Sequence, residues 1–333
     1  MECIKAEKAL MEKEALEDIL QKTVAALYGE QTTLTDIHVE PSAEATFYGI
    51  DIITLGLENR PELRIVRKNF SSYHYEKDRM AERRDREVFV YRDLLPGSGL
   101  GTAEYYGSVH DETKCNYWLF LEYVEGTTVD YCKFETWVSA TAWLGKFHAF
   151  FSKRINELET IDVLGRHESD YFLAVADQAM FAVTEVSLAL GRRIEPIVRD
   201  YQAAVENMIR QPRTLVHGAY LPGQVLYNNR SQPARICPLD WELAAIGSGG
   251  YDLSCIVDGF EGPQLAHLLD AYREEASCNG LTVISDDSMI QILGCFRLHR
   301  RLNWLMKSVD RRYPDQTVEK LVSDAEALAR QVL

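Results

Sequence analysis

The apolar pattern of this 333-residue chain changes character once, near Glu125-Gly126, and that change constrains the fold more than any other feature. Before it, short apolar runs dominate: Ile37 to Val39, Ala45 to Leu55 and Leu63 to Phe70, with a turn at Glu58-Asn59-Arg60-Pro61. Runs of this length bounded by turn residues read as strands of a small antiparallel sheet. Met80 to Leu95 reads as a helix stopped by Pro96 and Gly97, followed by strands at Ala103 to His110 and Asn116 to Tyr123. After Gly126 the period lengthens. Phe134 to Lys153 places Trp137, Ala140, Leu144, Phe147 and Phe151 at helical spacing, and Asp170 to Leu190 and Glu195 to Gln211 repeat it. The expected architecture is α+β: residues 1–125 form an N-terminal lobe of antiparallel sheet plus one helix, and residues 126–333 form a mainly helical C-terminal lobe.

Composition narrows the function classes. With 46% hydrophobic and 26% charged residues, the chain is long enough to build two separate cores. A formal charge of -15 lacks the excess Lys and Arg that grip a phosphate backbone, so nucleic acid is not an expected partner; a small or cationic one fits better. An anionic membrane surface is disfavoured for the same reason. Seven scattered cysteines, odd in number and without paired metal-ligand spacing, read as reduced thiols of a cytoplasmic protein. The start Met1-Glu2-Cys3-Ile4-Lys5 mixes charges where a signal peptide needs a basic, then apolar, stretch. No run approaches the ~20 apolar residues of a membrane span.

Two short apolar segments inside the helical region end directly in polar residues. Thr214-Leu215-Val216 leads into His217-Gly218-Ala219-Tyr220-Leu221-Pro222-Gly223-Gln224; Ala234 to Leu239 leads into Asp240-Trp241-Glu242, with sixteen residues from Gln224 to Asp240. Strand ends of this kind commonly carry chemistry. An acid immediately after an apolar strand is costly to bury unless a cation offsets its charge, which marks Asp240 as a metal candidate; the alternative is a cap for the following turn.

This pair of segments resembles the catalytic loop and metal segment of aminoglycoside phosphotransferases and choline-kinase-like enzymes, whose pattern is His-Gly-Asp, four residues, Asn, then an Asp after the next strand. Other pieces follow in the family's order. Arg64-Ile65-Val66-Arg67-Lys68 resembles the strand with the phosphate-binding cation, Arg86-Glu87 the helix with its ion-pair partner, and Leu119 to Gly126 the hinge that holds adenine. Leu144-Gly145-Lys146-Phe147-His148 and Gly247 to Leu253 also match, so the likeness spans roughly residues 35 to 310. It implies a bilobal protein-kinase-like fold, ATP and Mg²⁺, and a small-molecule acceptor.

The resemblance also implies roles. Lys68 or Arg67 meets the phosphates; neighbours on a strand point to opposite faces, so one of them enters the site, with Lys68 preferred. Glu87 pairs with that cation, or else belongs to a solvated helix face in the run Glu82 to Glu87. Glu122 and Tyr123 belong to the adenine hinge, Asp240 and Gln224 to the metal, and His217 organises backbone near the metal segment. Arg300, Arg301 and Trp304, on a helix from Ser288 to Met306, line the acceptor pocket or form the basic face of an amphipathic helix. The charge of that pocket depends on which acids face it, such as Asp258, Glu261, Asp286 and Asp287.

Three departures accompany these matches. The catalytic aspartate position is Ala219, the asparagine position is Gln224, and the turn Glu40-Pro41-Ser42-Ala43-Glu44-Ala45-Thr46 lacks the glycines that let backbone approach phosphate. The expected function is phosphoryl transfer by an atypical site. The alternatives are a pseudokinase-like protein that binds a nucleotide or metabolite, and a different reaction on the same scaffold.

Overall fold

The computed structural model describes residues 2–43, 47–74, 78–113, 115–282 and 286–333. The expected strand start at Ala45 and the Glu44-Ala45-Thr46 end of the glycine-free turn lie outside them, as do the side chains of Asp286 and Asp287. The chain divides into two compact units, Met1–Gly126 and Thr127–Leu333.

In the first unit, helix α1 (Glu2–Tyr28) precedes strands β1 (Leu34–Pro41), β2 (Tyr48–Leu57) and β3 (Leu63–Tyr73), helix α2 (Met80–Phe89), and strands β4 (Tyr105–Asp111) and β5 (Asn116–Glu122). The five strands form one antiparallel sheet in the order β1-β2-β3-β5-β4. Alternation gives the sheet two faces. One carries Ile53, Leu55, Ile65, Trp118 and Phe120, and α1 lays Leu20 and Val24 onto it, both fully buried. Each of those two side chains contributes about 1.5–3 kcal/mol by leaving water, and Thr23 Oγ1 adds a hydrogen bond to the Tyr106 carbonyl at 3.3 Å. Helix α1 is not among the elements expected from the sequence, because charged residues are dense in its first half and break up the apolar spacing there.

The helix expected over Met80 to Leu95 divides. Val90–Leu94 forms a π turn, with Leu95 N donating to Val90 O at 3.0 Å, which absorbs one extra residue ahead of Pro96.

The second unit begins with β6 (Thr127–Thr128), α3 (Phe134–Ser152), α4 (Ile155–Leu158) and β7 (Gly165–Arg166). Helices α5 (Ser169–Val186), α6 (Leu188–Asp200) and α7 (Gln202–Ile209) follow, then strands β8 (Arg213–Val216), β9 (Val225–Asn228), β10 (Arg235–Pro238) and β11 (Ala245–Ser248). Helices α8 (Gly250–Ile256), α9 (Gly262–Cys278), α10 (Asp286–Met306) and α11 (Asp315–Val332) complete it. Two helices were expected between Asp170 and Gln211; three are present. Ser187 takes extended backbone and caps α6 through its hydroxyl, and the chain then turns so that α5 packs on α10 and α6 on α11.

Two small sheets, β10-β9-β6 and β7-β11-β8, carry the loops of interest. The His217 loop links β8 to β9, the hairpin β9-β10 returns to Asp240, and β11 pairs with β8 so that Ala245 faces Val216. Among the described residues, no helix is long and apolar enough to cross a membrane.

Candidate functional site

Strand β3 decides between its two cations by alternation. Lys68 points to the α2 side, where its Nζ lies 2.9 and 2.7 Å from the two carboxylate oxygens of Glu87. The pair is buried, with the ammonium 5.1 Å from the Tyr48 ring centroid and 5.5 Å from that of Phe70. Arg67 points to the opposite face, bonded to Asp51 at 2.8 and 2.9 Å and lying over Trp118 at 5.1 Å. Glu87 is 1% exposed, so it is not part of a solvated helix face.

At the end of β5, the Glu122 amide donates to Glu104 O at 2.9 Å and the Tyr123 amide to Arg64 O at 3.3 Å. The Arg64 guanidinium stacks on the Tyr123 ring at 3.7 Å. Both amides are therefore engaged within the sheet.

In the second unit, the loop after β8 is held from beneath by one residue. Asp252, on α8 and fully buried, accepts the backbone N–H of His217 at 2.6 Å and that of Gly218 at 2.9 Å. His148 Nε2 meets the same carboxylate at 3.3 Å, and His148 Nδ1 contacts the Tyr272 hydroxyl at 2.9 Å. A carboxylate taken out of water needs this number of donors to offset its desolvation. Gly218 sits at φ +79°, and a Cβ there would lie 2.1 Å from Leu243 O, so only glycine fits.

His217 bonds Leu239 O through Nε2 at 2.9 Å and accepts the Ala219 amide at Nδ1 at 3.3 Å, which assigns its proton to Nε2. Burial lowers its pKa against the opposing effect of Asp252 and Asp240, so the ring is neutral. It ties the Ala219 loop to the strand end carrying Asp240. Ala219 itself is partly exposed, between buried His217 and Tyr220.

Asp240 adopts a left-handed conformation, φ 67° and ψ 66°, and makes no side-chain cap to the turn that follows. Strained non-glycine backbone persists where surrounding structure imposes it, and it concentrates at functional sites. Gln224 Nε2 lies 3.3 Å from Asp240 Oδ2, while Gln224 Oε1 is buried with no hydrogen-bond partner among the described residues. Glu242, two residues on and 5% exposed, brings a carboxylate oxygen within 4.8 Å of one from Asp240.

On α10, Arg300 and Arg301 both turn toward Asp258, at 3.4 Å and at 3.2 Å twice, and Arg297 donates to Val257 O and Phe260 O. Trp304 is 40% exposed near Tyr313. The basic residues of this helix are thus not a solvated face.

In the sequence, Asp252 and Glu242 are members of longer segments, and no spacing within those segments singles them out. The available signal was an acid in an apolar context, Tyr251-Asp252-Leu253, whose donors come from residues 34 and 35 positions earlier and cannot be read from spacing.

The sequence profile of the phosphotransferase enzyme family matches residues 61–285. No curated protein matches the sequence. A point variant of aminoglycoside 2'-phosphotransferase-IIIa in complex with GDP superposes with a TM-score of 0.63 at 14% identity, over 92% of this chain and 95% of that one. A choline kinase from Cryptosporidium parvum Iowa II gives 0.62 at 11% identity, over 96% and 94%. The apoenzyme of a macrolide 2'-phosphotransferase from Brachybacterium faecium gives 0.60 at 15%, over 91% and 96%. These likenesses establish a kinase-like α+β fold, and with two thirds of its length matched by the profile, the chain belongs to the phosphotransferase enzyme family.

Proposed function

We propose that this chain is an ATP- and Mg²⁺-dependent phosphotransferase acting on a small-molecule acceptor, with no base at the loop position held by Ala219. The observation that carries this reading is the Asp240 and Gln224 pair: a carboxylate in a left-handed turn beside a buried amide oxygen that lacks a donor among the described residues. Oxygen ligands of this kind suit a hard divalent cation, and Asp240, Gln224 and Glu242 are the residues assigned to hold it. Bound there, Mg²⁺ supplies neutralising charge for phosphate oxygens. Lys68, oriented by Glu87, is assigned to the phosphates, and Arg67, turned to Asp51, is assigned to sheet packing. The segment around Glu122 and Tyr123 is assigned to the base of the nucleotide through groups other than these two amides, which bond Glu104 O and Arg64 O.

His217 is neutral and bonded at both ring nitrogens, so it positions backbone and moves no proton. Ala219 has no group that takes a proton or orients a hydroxyl, and the loss of such help costs on the order of 10²- to 10⁴-fold in rate. Acceptors suited to this loop are hydroxyls that react slowly, or groups that are already anions and have no proton to lose. The unbridged cysteines, among them Cys132, Cys237 and Cys255, favour a cytoplasmic setting.

Ala219 also favours a second reading, a nucleotide- or metabolite-binding protein without turnover. Calorimetric titration of ATP and ADP, with and without Mg²⁺, tests both. Metal-dependent ATP binding that Asp240→Ala weakens is the expected result, followed by acceptor-dependent ADP release; Ala219→Asp is expected to gain about 10²- to 10⁴-fold on hydroxyl acceptors. Binding without release for any acceptor selects the second reading, and no nucleotide binding at all removes the first and leaves only the metabolite-binding form of the second.

A further inference from the structure

The end of α8 and the middle of α10 bring three guanidinium groups around one carboxylate. Arg300 and Arg301 share Asp258 through bonds of 3.2 to 3.4 Å. Charge-assisted bonds of this type normally close to about 2.7–2.9 Å. Arg297 donates from Nη2 alone to two backbone carbonyls, Val257 O and Phe260 O. The Nε atoms of Arg297, Arg300 and Arg301 are all buried and lack a hydrogen-bond partner among the described residues.

Among the described residues, the other carboxylates near the cluster are more exposed than Asp258. Asp324 lies 3.7 Å from Arg301 and is 41% exposed, and Glu261 acts on Arg297 from an exposed position. The Cys255 thiol beside Arg300 is pushed up to about 11 by burial, so it contributes no charge. Burial lowers the pKa of Arg297, whereas that of Arg300, against its burial, is raised by its neighbours, so the shortfall of counter-charge falls on Arg297. The side chain of Arg300 is 9% exposed, while Arg301 at 19% and Asp258 at 25% are reached by solvent.

We infer that Arg297, Arg300 and Arg301 bind an oxyanion, a carboxylate or phosphate group carried by the acceptor, in competition with Asp258. The part that calls this molecule the acceptor rests on the phosphotransferase reading; the anion site does not. Asp258 lies in the turn that follows α8, two residues past Ile256 and six past Asp252. The hydrogen bonds of the three arginines go to Val257, Asp258 and Phe260 and not to the Ala219 loop, so an anion held there anchors one end of a small molecule rather than being the reacting group. The acidic total of the chain does not oppose this, because the field at the site comes from the nearest charges.

The test is calorimetric titration of the full chain, free of nucleotide, with succinate, inorganic phosphate and uncharged succinamide. Succinate or phosphate is expected to bind and succinamide is not, and which of the two binds identifies the group as carboxylate or phosphate. Asp258→Asn removes the competitor and is expected to tighten binding several-fold, whereas Arg301→Gln is expected to weaken it at least about tenfold. A merely structural role for the cluster gives neither change. Should Arg301→Gln not fold, Arg301→Lys keeps the charge and loses the fork, and is expected to weaken binding in the same direction. Absence of binding to both the wild type and Asp258→Asn, or equal binding of succinamide, overturns the inference. Anion binding in a chain that fails to bind ATP leaves this site standing and removes the phosphotransferase reading; ATP binding without anion binding does the reverse.

Discussion

The carboxylate of Asp252 accepts the backbone N–H of His217 at 2.6 Å across 35 residues of sequence. With the Gly218 amide on its other oxygen and His148 Nε2 at 3.3 Å, it fixes the backbone that presents Ala219 and, through His217, the strand end before Asp240.

Asp252→Ala therefore strands two buried amides and a histidine nitrogen. It is expected to cost on the order of 3–5 kcal/mol in urea unfolding. His148→Phe removes only one of the three donors and is expected to cost less. The reverse order would show that the histidine, and not the carboxylate, holds the loop.

The Lys68 and Glu87 pair is buried on both sides. Lys68→Met leaves an uncompensated carboxylate and is expected to lose about 3–5 kcal/mol, whereas Lys68→Met with Glu87→Leu recovers much of it. A double-mutant cycle read by denaturant unfolding measures the coupling. In ATP titrations, both variants are expected to bind more weakly than the wild type, so stability and affinity separate.

Two buried histidines give the stability a pH signature. Burial lowers the pKa of His217 and holds that of His299 well below its ordinary value; His299 sits against Tyr201 through Nδ1 at 3.0 Å. Both folded-state values lie below the unfolded value of about 6.5. The unfolded chain therefore binds protons that the folded chain does not, and stability falls as pH drops through about 6.5 toward the folded values, by up to about 1.4 kcal/mol per pH unit for each ring. Asp258, held low by Arg301 and Arg300 despite its burial, acts in the same direction only at lower pH. Thermal unfolding at pH 7.5, 6.5 and 5.5 measures the slope. His299→Gln is expected to flatten it; an unchanged slope would show that His299 protonates freely in the folded state.

Much of the fold was legible in the chain because it depends on short-range pattern. Short apolar runs bounded by turn residues mark β2, β3 and β5, apolar residues at helical spacing mark α3, and the order of motifs from Lys68 to Asp252 marks the family. The division of the Met80 to Leu95 helix and the break at Ser187 were not legible, since a π turn and an extended cap leave the apolar spacing nearly unchanged.

By itself the sequence determined which chemical groups are available: a lysine and an arginine side by side on β3, an acid after β10, and a glutamine and an alanine in the loop after β8. Only the tertiary structure decided what those groups face. It turned Lys68 toward Glu87 and Arg67 toward Asp51, made Asp252 the anchor of the His217 loop, and gathered three arginines of α10 around Asp258. The reason is physical. Periodicity is a property of neighbouring residues, whereas the partners of a buried charge are supplied by whichever distant segments packing brings within about 3 Å, and in the interior those partners decide its cost and its use.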